Sequence, residues 1–230
     1  MTPIQQLMLG AGGAKKTYLD DVFSNYLYEG DSGFTHLINN GINLSGEGGM
    51  VWIKERGGSN DHIVFDTEQT ANKYIRPNST AAAATNYDSF NSNGFTLGTD
   101  WGTKNSSGSE YVSWTFRKAP GFFTCLTYTG NGSARTIAHD LGCVPGLIIT
   151  KSTSESGNWN VYHRSLGAAK LLELQASNAA SEPSGYSPWN GTEPTSTHFS
   201  LGAGNGPEFN KNGTTYICYL FAGGESTAAT

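Results

Sequence analysis

GGMVWIKERGGSNDHIVFDT (residues 48–67) and PGLIITKSTSESGNWNVYHRS (residues 145–165) decide how this chain is built. Each carries a glycine (Gly49, Gly146) just ahead of an apolar, β-branched stretch that reaches a lysine. Each then turns over a Gly/Ser/Asn segment and returns as a second stretch. Gly49 through Lys54 aligns with Gly146 through Lys151 at a spacing of 97 residues. Apolar β-branched runs joined by a glycine-rich turn read as a hairpin. A hairpin that recurs in one chain points to a repeated unit, and a repeat governs the whole fold.

The flanking sequence repeats in the same order. YLYEG (26–30) matches LTYTG (126–130), with Tyr28 and Tyr128 100 residues apart. GFTLG (94–98) matches HFSLG (198–202) at 104, and YVSWTF (111–116) matches YICYLF (216–221) at 105. Spacing that drifts by a few residues while order holds places the insertions in loops. KYIRP (73–77) and KLLELQA (170–176) add short strands. The two closing strands are apolar on both sides, as a central strand of a sandwich should be. Helical signals are weak: residues 66–74 admit one turn, and 81–84 are too few. The fold expected is all-β, two tandem β-sandwich domains of jelly-roll or lectin-like type. The expected divisions are an N-terminal docking segment (1–25), a first sandwich (26–120), a second (121–224) and a C-terminal tail (225–230).

Composition agrees. Glycine makes up 30 of 230 residues, nearly double the usual ~7%, and charged residues are 14% against roughly 25%. Gly and Asn accept the positive φ that tight hairpins need. A net charge of −5 argues against a nucleic-acid partner, which asks for a clustered basic face. No apolar run approaches the ~20 residues that span a bilayer. In the first sixteen residues the charge follows the apolar part, the reverse of a secretory signal, so export by that route is not expected. Cys125, Cys143 and Cys218 are odd in number and lack CxxC spacing, so neither a disulfide framework nor a zinc site is indicated.

Candidate sites are few. Asp61-His62 and His139-Asp140 are adjacent, but neighbours on a strand point to opposite faces and Asp in a turn serves its own backbone. No GxSxG, HExxH or P-loop occurs, and the Gly-rich stretch 10–15 lacks the Ser/Thr and the preceding strand of a phosphate loop. No catalytic residue, cofactor or metal is therefore expected. Scattered Asn60, Asp61, Asn86, Asp88 and Asn91 do not form a spaced calcium loop. Trp101, Trp159, Tyr186 and Trp189 lie in polar, Gly/Ser/Asn-rich surroundings and could stack on sugar rings. The competing reading is that they plug the sandwich ends or subunit contacts. Ile4, Leu7, Met8 and Leu9 form an apolar stripe at helical spacing. It is too short to be stable alone, so it is expected to dock on a partner.

YTGNGSARTIAHDLGCVPGLIITKSTSESGNWNVYHRSLG (128–167), with HFSLG and TYICYLFAGG, resembles a module of tail and tail-fibre proteins of tailed bacteriophages. The opening MTPIQQLMLGAGGAKKTYLDDVFSNYLYEG, with GGMVWIKER and SWTFRKAPGFF, is similar to the N-terminal region of the same proteins, especially from marine phages. The resemblance spans nearly all of 1–224. It implies a virion structural protein, a tail fibre or related appendage anchored by its N-terminus to other virion proteins and able to meet the host surface. Capsid decoration or a head fibre, and a host-glycan-binding module, are the alternatives it leaves. It carries no catalytic residues over. Phage appendages are commonly trimeric, so a homo-oligomer, a trimer, is expected, with neighbours covering aromatic strands such as YLYEG and GFFTCLTY.

Overall fold

The computed structural model describes residues 17–69, 73–85, 87–98, 101–184, 187–204 and 208–224. The chain is all-β. A four-residue helix α1 (Leu19–Val22) leads into β1 (Phe23–Glu29) and β2 (His36–Asn39). After α2 (Leu44–Glu47) come β3 (Gly49–Glu55), β4 (Ile63–Asp66), β5 (Lys73–Ile75), β6 (Ala84–Thr85), β7 (Ser89–Asn91) and β8 (Gly94–Leu97). Helix α3 (Trp101–Lys104) precedes β9 (Glu110–Arg117), which ends the first half. The second half runs β10 (Phe123–Thr129), β11 (Arg135–Ala138), β12 (Pro145–Ser152), β13 (Trp159–His163), β14 (Leu172–Glu173), β15 (His198–Leu201) and β16 (Thr215–Ala222).

Each half is a sandwich of a large and a small antiparallel sheet. The large sheets are ordered β1-β9-β3-β4-β5-β6 and β10-β16-β12-β13-β14; the small ones are β2-β8-β7 and β11-β15. In both halves the first strand pairs with the last and the second with the penultimate, while the third and fourth form the hairpin that opened the sequence argument. Register repeats as well as order. Tyr28 faces Tyr111 as Tyr128 faces Tyr216, Trp52 faces Val64 as Ile149 faces Val161, and Ile38 faces Phe95 as Ile137 faces Phe199.

The recurring Tyr-x-Gly motif has a packing cause. Tyr28 stacks on Tyr111 at 5.2 Å and donates to the Lys104 carbonyl at 2.8 Å. Tyr128 stacks on Tyr216 at 4.9 Å and donates to the Phe209 carbonyl at 2.6 Å. A Cβ on Gly30 or Gly130 would collide with the carbonyl oxygen of Ser106 or Lys211, so only glycine lets the chain pass there. Asn105 and Asn210 close the same corner by accepting from the amides of Asp31 and Asn131, each at 3.2 Å.

Three apolar cores follow. Ile38, Val51, Ile53, Phe65, Phe95 and Tyr111 fill the first sandwich, and Ile148, Tyr162, Trp189, Phe199, Tyr216 and Leu220 the second. The third is a seam where the large sheets meet face to face. Met50, Val64 and Ile75 there pack with Phe123, Cys125, Ile149, Trp159, Ile217 and Tyr219.

Several expectations need correction. β1 starts at Phe23, so a first sandwich beginning at residue 26 would cut its own edge strand. Val22 is buried, Phe23 lies 5.0 Å from Phe116, and Arg117 Nε donates to the Asp21 carbonyl at 2.9 Å, which ties this stretch to β9. The turn of helix admitted for 66–74 is the end of β4, a bend at 67–69 and the start of β5. In GFFTCLTY, Phe123 and Cys125 are covered by the first half of the same chain and Tyr128 by the core of its own sandwich. Ile4, Leu7, Met8 and Leu9, and the tail 225–230, lie outside the described residues.

Candidate functional site

Polar groups concentrate where the halves meet. Asp66 ends β4 and is 4% exposed. Its Oδ1 accepts from the amides of Glu68 at 2.9 Å and Gln69 at 3.0 Å. Its Oδ2 lies 2.6 Å from Gln69 Nε2 and 2.7 Å from the Tyr219 hydroxyl, which reaches across from β16. Burial pushes the carboxyl above its usual range, against the pull of these four hydrogen bonds. Gln69 Oε1 has no hydrogen-bond partner among the described residues. Turning that amide over would set Oε1 against Oδ2, where a carboxylic acid proton would satisfy both.

A pH dependence follows. The folded-state value is raised, so the stability tied to Asp66 is fully present below the unfolded carboxyl value of about 3.9 and is lost as pH climbs to the folded value. Asp66→Asn, which keeps the shape and stays neutral, should remove that decline. Unfolding free energies of the two proteins across mildly acidic to neutral pH check this. Parallel curves would mean that Asp66 is ionised throughout.

Around Asp66 the charged groups are engaged with one another. Lys118 Nζ sits 3.1 Å from Glu68 and 4.0 Å from Asp140. Burial, with the Asp66 carboxyl adding to it, raises the Cys125 thiol well above its usual value, so it is no nucleophile. Lys151 is fully buried on β12, and burial pulls its ammonium down to about 8 while Nζ donates to the carbonyls of Ser152 at 2.7 Å and Thr80 at 3.2 Å. Beside α2 an open groove of about 510 Å³ is lined by Ser45, Glu47, Thr67, Glu68, Asp88 and Phe90. A recess of about 140 Å³ nearby adds Asp66, Gln69 and Lys73. The carboxylates here already have partners: Asp88 holds Lys104 at 2.8 Å, and Glu47 faces Arg117 at 4.0 Å. No group of three His, Cys, Asp or Glu among the described residues is placed to hold a metal ion.

Two of the four candidate sugar-stacking rings are buried. Trp159 and Trp189 are each 1% exposed. Trp159 is a seam residue whose Nε1 lies 3.0 Å from the carbonyls of Arg76 and of Ser79. Trp189 packs edge-on against Tyr162 inside the second sandwich at 5.8 Å. Neither ring can stack on a sugar without unfolding its surroundings. The Trp101 side chain and Tyr186 lie outside the described residues. The adjacent acid and histidine serve different partners. Asp61 pairs with Arg76 at 3.2 Å, while His62 Nδ1 accepts from Trp52 Nε1 at 2.9 Å. Burial, helped by Lys54, lowers the His62 value, which keeps that nitrogen free to accept.

Sequence reasoning missed the Asp66–Gln69–Tyr219 network, because its partners are 153 residues apart and belong to different repeats. Asn105 and Asn210 could have been found, since they recur at the same spacing of 105 as the closing strands.

The family described as Domain of unknown function (DUF7483) matches residues 20–227. No curated protein and no solved structure matches the chain.

Proposed function

The chain belongs to the DUF7483 family, and we propose that it is a virion structural protein, a tail fibre or related appendage of a tailed bacteriophage. In this reading residues 1–16, ahead of α1, dock it onto other virion proteins, and the two sandwiches form a homo-oligomer, a trimer, on the particle surface. The resemblance of residues 128–167 to a module of phage tail proteins supports the role. The observation that carries it is the use made of the buried polar groups. Asp66, Gln69, Tyr219, Lys151 and the backbone of residues 76–83 join one repeat to the other. Such an arrangement suits a scaffold that must stay rigid.

Particles of the encoding virus test the reading by mass spectrometry and imaging. The chain should be found at an external appendage, and its absence from washed particles would overturn the proposal. The docking segment is tested by deleting residues 1–16, which spares α1 and β1. The shortened protein should keep its circular dichroism and melting temperature yet fail to enter particles. Normal incorporation would remove the docking role and leave the appendage to be held by its sandwiches.

A further inference from the structure

The repeat supplies an internal control for which surfaces ought to be covered. On the seam face of the second large sheet, Cys125 and Ile217 are 0% exposed and Tyr219 is 1% exposed, because the first half lies over them. The equivalent positions of the first sheet are Asn25, Val112 and Trp114. Here Asn25 is exposed, and Val112 and Trp114 are only half-buried. The two sheets are therefore offset, and among the described residues the β1-β9-β3 end of the first is left open.

That open end is apolar. Val112 lies between Leu27 on β1 and Lys54 on β3, and Trp114 between Asn25 and Trp52. Alternation puts Leu27, Val112, Trp114 and Trp52 on the face that carries Phe116 and Met50 into the seam. Leu27 is 57% exposed, where the second half has Thr127. The same fold tolerates threonine at this position, so nothing in the architecture asks for leucine there. β1 is also an edge strand with unpaired backbone groups, a combination that invites pairing with another chain.

We propose that this open end of the first large sheet, centred on Leu27, Val112 and Trp114, is the contact through which the chain associates with a second copy of itself. A second copy is the fitting occupant because the row Val112-Trp114 continues along β9 from Phe116 in the seam, where the chain's own second sandwich already covers this face. At the end of this face Lys54 and Arg56 lie beside Glu29 and Glu110, and Arg56 holds Glu110 at 3.0 Å, so no excess of one sign opposes the approach of a second copy. The inference rests on the homo-oligomer part of the reading above and not on the virion.

Sedimentation velocity on the full chain over a range of concentrations tests it. The wild type should sediment as a multiple of 24.5 kDa, and Leu27→Asp should weaken association at least tenfold. Thr127→Asp, at the matching position of the other half, should leave it unchanged. Hydrogen exchange on the wild type provides a measurement free of mutation: amides of β1 should gain protection as concentration rises. A wild type that stays monomeric, or whose β1 exchange ignores concentration, overturns the proposal. Undiminished association of Leu27→Asp also overturns this surface, while the homo-oligomer would stand through another contact. Particle incorporation reports on the virion reading separately.

Discussion

Replacing Trp159 by alanine is expected to destabilise the protein by about 3–5 kcal/mol, the cost of emptying a core of its largest side chain. Trp159 is fully buried at the start of β13 and reaches from the second half to the carbonyls of Arg76 and Ser79 in the first. The substitution leaves a cavity against Val64 and Ile75 and strips the carbonyls of Arg76 and Ser79 of their indole donor. Both sheets line that cavity, so the loss should be felt by both. Denaturant unfolding followed by far-ultraviolet circular dichroism should remain a single transition with a lowered midpoint. Two separated transitions in the wild type would mean the seam is a loose contact between independent domains. A loss below about 1 kcal/mol would mean the indole is not the packing element that its burial indicates.

Trp159 also marks where sequence reasoning stopped. Its neighbours Asn158 and Asn160 give the segment a polar look, and a polar look suggested an exposed ring. In a strand those neighbours belong to the opposite face, and Asn160 is itself buried, donating to the Glu208 carbonyl. Alternation tells which residues share a face but is silent on what that face meets. The hairpins were legible because turn chemistry is local: glycine and asparagine announce themselves within a few residues. The repeat was legible because order survives insertion. The seam is a contact between two repeats, and nothing in either repeat alone encodes their offset. The start of β1 was hidden for a related reason. Phe23-Ser24-Asn25 reads as a polar approach, yet Phe23 is held by Phe116 of β9, more than ninety residues further on.

Lys104→Met should be nearly as costly as the loss of Trp159, and most of that cost should return when Asp88→Asn is added. The side chains of Lys104 and Asp88 are 1% and 0% exposed and meet at 2.8 Å. Asp88 Oδ1 also accepts from the Gly98 amide at 2.8 Å, which fixes the end of β8. Removing the ammonium alone leaves a carboxylate buried without its counter-ion, an error worth about 3–5 kcal/mol. Asparagine at position 88 would keep an acceptor for Gly98 and carry no charge, so the double variant loses the pair without stranding either member. The second half shows that the corner can be built this way. Phe209 occupies the place of Lys104 and is 3% exposed, and the Gly202 amide donates to the Pro188 carbonyl at 3.0 Å instead. A double-mutant cycle in denaturant measures the coupling. A double variant as unstable as the sum of its parts would show that the pair acts through packing rather than charge.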